Sequence, residues 1–273
     1  MTLYMPDQNI PHTQKPKVTV YIPSYNYARY LEKAVESIHS QIYSNWELII
    51  IDDGSTDETI EIAQKLKALY PADTKVIRND KPLGLFKCAN IALKIARGEY
   101  FMRLDADDYL DESALLVMAT YLNNNPDIAL VYPNYTYVDQ NGAFLHTENR
   151  KKIGEEDILL DQPAHGACTM VRKRVLKTVG GYTESNDAQD GYELWLKIST
   201  RYQIANVTTP LFFYRQHANS LSRDSTKLLK SRRRIKRQQV ARDTGSVSPR
   251  IVFIVPAKNS YPGNSDVALQ PLN

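Results

Sequence analysis

The chain has 273 residues, 42% hydrophobic and 24% charged, a balance that fits one large soluble domain, or one domain plus a fragment. Its formal net charge of +3 gives no reason to expect a nucleic-acid partner. No run of about 18 apolar residues marks a spanning helix, and the polar, Pro-interrupted lead before Lys17 has no apolar centre for a secretory signal.

Residues 1–16 read as a flexible lead. Val18 to Pro23 is β-branched and aromatic and predicts a strand. A turn at Ser24-Tyr25-Asn26 follows. Leu31, Ala34, Val35 and Ile38 then recur at helical spacing. Trp46 to Ile51 predicts a second buried strand, ending in Asp52-Asp53-Gly54-Ser55. Thr56 or Asp57 can cap the next helix, which runs to about Tyr70. A short strand at Lys75 to Arg78, a turn, a helix from Leu85 to Ala96 and a strand from Tyr100 to Leu104 complete the first half. Alternating strands and helices with continuous apolar strands predict an α/β fold, a Rossmann-like, mostly parallel sheet covered on both faces. The two cysteines, Cys88 and Cys168, read as reduced structural thiols of a cytosolic protein, and no His/Cys cluster has zinc spacing.

The second half reads as a smaller mixed region. It predicts a helix from Asp111 to Asn123, a strand from Ile128 to Val138 and a return strand after the Gln140-Asn141-Gly142 turn. Arg150 to Gln162 reads as charged and mobile. Ala167 to Arg172 predicts a strand, and Lys173 to Val179 a helix stopped by Gly180-Gly181. Tyr192 to Thr200 predicts an amphipathic helix with Asp190 just before it, and Leu211 to Arg215 a last strand leading to His217. The domain thus spans 17–222, with a nucleotide-binding half at 17–110 and an acceptor-side half at 111–222. Residues 223–243 form a basic helix, whose Lys227 to Arg242 run reads either as a solvated face or as a peripheral contact with an anionic membrane. Residues 244–273 read as a linker and the truncated start of a second domain, with a strand at Arg250 to Pro256.

The chemistry concentrates in Asp105-Ala106-Asp107-Asp108, directly after a buried strand. Asp105 and Asp107 are two apart, so on a regular strand both face one side. Such paired oxygens suit a hard divalent cation, Mn²⁺ or Mg²⁺, shared with substrate phosphates. The other reading is a solvated loop, with Asp111 capping the next helix. Pro-Ser-Tyr-Asn stands where a dinucleotide-binding protein needs G-x-G-x-x-G, and no P-loop is present. What remains is a fold that grips a nucleotide diphosphate through a metal.

The strings VTVYIPSYN, WELIIIDDGSTD, GEYFMRLDADD, QDGYELWLKI and YRQH resemble family 2 of the glycosyltransferases, in order, over roughly Lys17 to Ser222. The resemblance implies a GT-A fold and inverting sugar transfer from a nucleotide-sugar. It implies nucleotide contacts from Pro23, Tyr25, Asp53 and Asp105, with Tyr25 stacking on the base and Asp53 favouring uracil or thymine. It implies metal contacts from Asp107, Asp105 and His217. Asp190 matches the family's catalytic base, preceded by Gln189 where glutamate is common. Each residue also has a plainer role: Tyr25 packing on the first helix, Asp52 or Asp53 holding a turn, His217 structural, Asp190 capping its helix. Trp195 and His165 fall on the acceptor side, Trp195 either in the core or lining the pocket. The family's Ala-Arg-Asn is Cys88-Ala89-Asn90 here, which leaves Lys87 as the substitute diphosphate contact. Q-x-x-R-W is absent, which favours single transfer over polymerisation. The expected partners are a nucleotide-sugar donor and a glycan or lipid-linked acceptor. A nucleotidyltransferase and a non-catalytic sugar- or nucleotide-binding module stay open as alternatives. The end of the chain weakly resembles the start of a sugar-nucleotide cytidylyltransferase.

Overall fold

The computed structural model describes residues 17–150, 166–186, 189–217 and 225–244. Residues 1–16, most of the charged 150–162 stretch and the strand expected at 250–256 lie outside them.

Four parallel strands build the first half: β1 (Val18–Ser24), β2 (Trp46–Asp52), β3 (Thr74–Arg78) and β4 (Tyr100–Arg103), in the order β3-β2-β1-β4. Helices α1 (Ala28–His39), α2 (Thr59–Leu69) and α3 (Leu85–Ile95) connect them. The strands read as unbroken apolar runs because both faces are covered. On one face Val18, Val20, Ile22, Leu48 and Ile50 pack with Leu31, Ala34, Val35 and Ile38 of α1. On the other, Tyr21, Ile49 and Ile51 pack with Phe86, Ala89 and Ala92 of α3. Each fully buried large side chain contributes about 1.5–3 kcal/mol.

The sheet continues past β4 with mixed pairing. It runs through β8 (Met170–Arg172), β6 (Ile128–Val138) and β9 (Gln203–Arg215) to β5 (Tyr109–Leu110), with β7 (Phe144–Glu148) paired to β6. β8 is antiparallel to β4 and to β6, β9 is parallel to β6, and β5 is antiparallel to β9. Helices α4 (Ala114–Asn124), α5 (Lys173–Thr178), α6 (Asp190–Ser199) and α7 (Ser225–Thr244) belong to this half.

Several boundaries differ from expectation. β9 starts at Gln203, eight residues before the expected Leu211. Its first eight residues are largely exposed or half-exposed and end in Pro210, so the apolar run is weak, and register shifts in the pairing with β6 absorb the proline. α4 starts at Ala114, because Tyr109-Leu110 pairs with β9. The Asp111 carboxylate accepts from the Ser113 N–H (2.9 Å) and hydroxyl (2.5 Å), a local turn just before that helix. α6 starts at Asp190, with Gln189 at its N-cap in the left-handed conformation and making no side-chain cap hydrogen bond.

Candidate active site

The paired ends Ser24↔Asp52 and Tyr21↔Arg103 bring the carboxyl ends of β1, β2 and β4 to one edge. The order of strands reverses between β1 and β4, and in open parallel sheets ligands sit in the crevice that this reversal opens.

The loop after β1 is stitched to the loop after β2. The Asn26 N–H donates to Ser55 Oγ (2.9 Å), the Thr56 N–H donates to Asn26 Oδ1 (2.8 Å), and the Ala28 N–H donates to Asp57 Oδ2 (3.1 Å). Asn26 takes a φ of 59°, which the polar stitches hold in place. This frame leaves Tyr25 46% exposed. Pro23, half-buried, pairs with Ile51 just below. Asp52 is buried and accepts from the Ser55 N–H at 3.1 Å. Asp53 holds the turn before α3: it accepts from Asn79 Nδ2 (2.8 Å), the Leu83 N–H (2.9 Å) and the Gly84 N–H (2.8 Å). The buried Cys88 thiol also hydrogen-bonds Asp53, which fills the roughly four acceptor sites of a carboxylate. Lys87 lies in the first turn of α3, half-buried.

After β4 the chain turns at once, with the Asp108 N–H donating to the Asp105 carbonyl (3.1 Å). The turn breaks the two-residue alternation, so Asp108 joins Asp105 and Asp107, and one ligand atom from each lies within 4.8 Å of the others. Burial pushes the Asp105 carboxyl up to about 6, with Arg103 opposing and Asp107 and Asp190 adding to the rise. Burial, Asp107 and Asp105 hold Asp108 well above the usual carboxylate range. One Asp108 oxygen accepts from the Arg215 N–H (2.8 Å), while the other, Oδ2, is buried with no hydrogen-bond partner among the described residues. His217 lies 2.8 Å from Asp107 Oδ2 through Nε2, with its ring against Tyr27 and Tyr30 at 5.9 and 5.5 Å. Crowded carboxyls, an orphaned buried oxygen and an adjacent imidazole form a hard, anionic donor set of the kind that Mn²⁺ or Mg²⁺ takes.

Asp190 occupies the first turn of α6, buried, with Oδ2 paired to Arg103 Nη1. It therefore lies beside the acidic turn and does not cap its helix. Glu193, one turn on, is paired to Lys197 at 2.7 Å. Trp195 packs in a small core with Tyr192 and Ile235 of α7, and His165 lies outside the described residues. The sequence reading missed Arg103, whose signal was a charged residue at the end of an otherwise apolar strand.

Residues 19–180 match the family model described as "Glycosyl transferase family 2", and the chain belongs to that family. Chondroitin synthase of Escherichia coli is 29% identical over 184 residues, 67% of this chain. The chain spans only about a quarter of that relative, 26%. Among solved structures, S. aureus TarS 1-349 superposes with a TM-score of 0.65 at 21% identity, over 82% of this chain and 65% of that one. The Pyrobaculum calidifontis mannosyltransferase PcManGT, solved with GDP-Man and Mn²⁺, gives 0.61 at 19% identity, over 87% and 67%. Both likenesses show the GT-A fold.

Proposed function

We propose that this protein is a metal-dependent, inverting glycosyltransferase of surface-polysaccharide or glycoconjugate synthesis. It moves one sugar from a nucleotide-diphospho-sugar to a hydroxyl of a glycan or lipid-linked acceptor. The observation that carries the reading is the meeting, at one sheet edge, of the Asp105–Asp107–Asp108 cluster with His217 and the Arg103–Asp190 pair. A UDP-linked donor suits it best. TarS, a structural neighbour, has been solved with UDP-GlcNAc.

Tyr25 stacks on the base, Asp105 and Lys87 face the ribose and diphosphate, and Asp107, Asp105 and His217 hold the cation. Bound there, the cation supplies compensation for charge that develops on the leaving diphosphate. The acceptor oxygen attacks the anomeric carbon from the face opposite the diphosphate. A new carbon–oxygen bond forms as the bond to the diphosphate oxygen breaks, and that electron pair leaves with the nucleoside diphosphate. The hydroxyl proton passes to Asp190. α7 adds a peripheral membrane contact. Lys230, Arg233 and Arg237 are exposed at helical spacing, and a basic face of this kind suits anionic lipid headgroups.

The test is a panel of nucleotide-sugars with and without Mn²⁺, read by thermal shift and by product. Stabilisation by UDP that needs the cation, is lost in Asp107→Asn, and leads to nucleoside diphosphate release supports the reading. Equal stabilisation in excess chelator, or release of pyrophosphate from a nucleoside triphosphate, overturns it.

A further inference from the structure

We infer that Arg103 is a positioning residue for sugar transfer: it fixes the orientation of Asp190 and ties it to the donor-side carboxylate Asp105. The inference rests on Asp190 being the base.

Arg103 ends β4 and is buried, with its side chain only 7% exposed. A buried guanidinium stays charged and needs anionic partners. It has two, and they come from opposite sides of the proposed reaction. Nη1 pairs with Asp190 Oδ2 on α6. Nη2 donates to Asp105 Oδ2 at 3.3 Å, and Nε lies 2.8 Å from Asp105 Oδ1. The Nε–H does not aim at that oxygen, so this last approach is a charge contact and Nη2 carries the hydrogen bond. One planar group thus joins the metal-side turn after β4 to the start of α6, with Arg103 and Asp190 87 residues apart in sequence.

The pairing assigns separate roles to the two oxygens of Asp190. Oδ2 is held by Arg103, which leaves Oδ1 as the oxygen that receives the acceptor proton. A carboxylate clamped at one oxygen cannot swing, and orientation of this kind is worth orders of magnitude in rate.

Gly166 completes the clamp from the other side. A Cβ there would lie 2.7 Å from Arg103 Nη2 and 2.7 Å from Asp190 Oδ2. The absence of a side chain at 166 therefore lets the pair close. Gly166→Ala displaces the pair while keeping every charge, so it tests geometry without leaving a buried carboxylate uncompensated.

The experiment compares Asp190→Asn, Arg103→Lys, Arg103→Met, Gly166→Ala and the Arg103→Met/Asp190→Asn double variant. Donor affinity is measured by calorimetry, melting temperature by scanning, and turnover at saturating donor and acceptor. If Arg103 acts through Asp190, Arg103→Met and Gly166→Ala lower kcat by about 10- to 100-fold, with UDP affinity within about threefold of wild type. Arg103→Lys, which keeps charge but not the fork, recovers part of the loss. The double variant is no slower than Asp190→Asn alone, because the residues act as one unit. Multiplicative losses in the double variant, or a Gly166→Ala variant at wild-type rate, overturn the inference while leaving Asp190 as base. Near wild-type turnover in Asp190→Asn overturns the base assignment itself. If Arg103→Met does not fold, Gly166→Ala and Arg103→Lys decide between these outcomes.

Discussion

Arg172 on β8 makes a measurable stability prediction. Its guanidinium is 6% exposed and donates to the carbonyls of Leu122 (2.6 Å), Asn125 (3.1 Å) and Ile128 (2.8 Å). These close the end of α4 and the turn into β6, where the Leu122 and Asn125 carbonyls each accept only one backbone N–H and have a second lone pair to fill. Arg172→Met keeps much of the volume and removes all three donors. A hydrogen bond from a charged group is worth about 1.5–3 kcal/mol, and part of that sum is returned because the guanidinium no longer has to be desolvated. The expected net loss is about 3 kcal/mol. For a domain of this size, each kcal/mol moves the melting temperature by about 2–4 °C, so a fall of about 6–12 °C follows. Urea denaturation followed by circular dichroism should show a lower midpoint with an unchanged slope. Turnover well below the melting point should be retained, because the carbonyls lie away from the acidic turn. A loss under about 1 kcal/mol would mean that water or backbone shifts satisfy those carbonyls, and the capping argument would be wrong.

Further expectations concern the core, the sheet edge and the basic helix. His39 stacks on Tyr70 at 3.6 Å, and burial holds its pKa down at about 4 from 6.5. The unfolded chain then binds the proton first, so this contribution is complete above pH 6.5 and is lost as pH falls toward 4, by about 1–2 kcal/mol after discounting for partial exposure. His39→Gln should flatten that part of the stability–pH curve, and an unchanged slope would count against it. Gly98→Ala would place a Cβ 2.5 Å from the Thr19 nitrogen and 2.8 Å from the Val18 carbonyl carbon. Because those are backbone atoms, β1 must shift, and a loss of about 1–3 kcal/mol in chemical denaturation is expected. Replacing Lys230, Arg233 and Arg237 with glutamate should abolish co-sedimentation with vesicles containing phosphatidylserine at low salt. Wild-type binding should itself fall at high salt, and salt-independent binding would contradict an electrostatic contact.

The parallel half of the fold was legible in the sequence because each strand is a continuous apolar run closed by a turn signal. α1 and α3 were legible because Leu31, Ala34, Val35 and Ile38, and Phe86, Ala89 and Leu93, repeat at helical spacing. The first half of β9 was not, because its residues are half-exposed and its partner β6 lies some 70 residues earlier. The acidic turn was visible as a cluster from Asp105 to Asp108, but the strand alternation assumed there ends at Arg103, and so only Asp105 and Asp107 were paired as ligands. The approach of His217 to Asp107 spans 110 residues and no local pattern encodes it; only the family resemblance suggested it. Arg103 was missed for the same reason: its partner Asp190 is brought to it by β8 and α6, not by spacing. Asp53 carries more structural duty than expected, since three of its acceptor sites hold the turn before α3.

The central claim is that Asp190 removes the acceptor proton in a direct displacement. Asn at this position preserves shape and can still accept a hydrogen bond from Arg103, so Asp190→Asn tests chemistry more than folding. The decisive measurement is turnover of wild type and Asp190→Asn at saturating UDP-sugar and acceptor, with donor affinity measured separately on both. The account predicts a fall in kcat on the order of 10² to 10⁴, donor affinity within a few-fold, and a product of inverted anomeric configuration from the wild type. A variant that turns over near the wild-type rate, or a product that retains the donor's configuration, would contradict it.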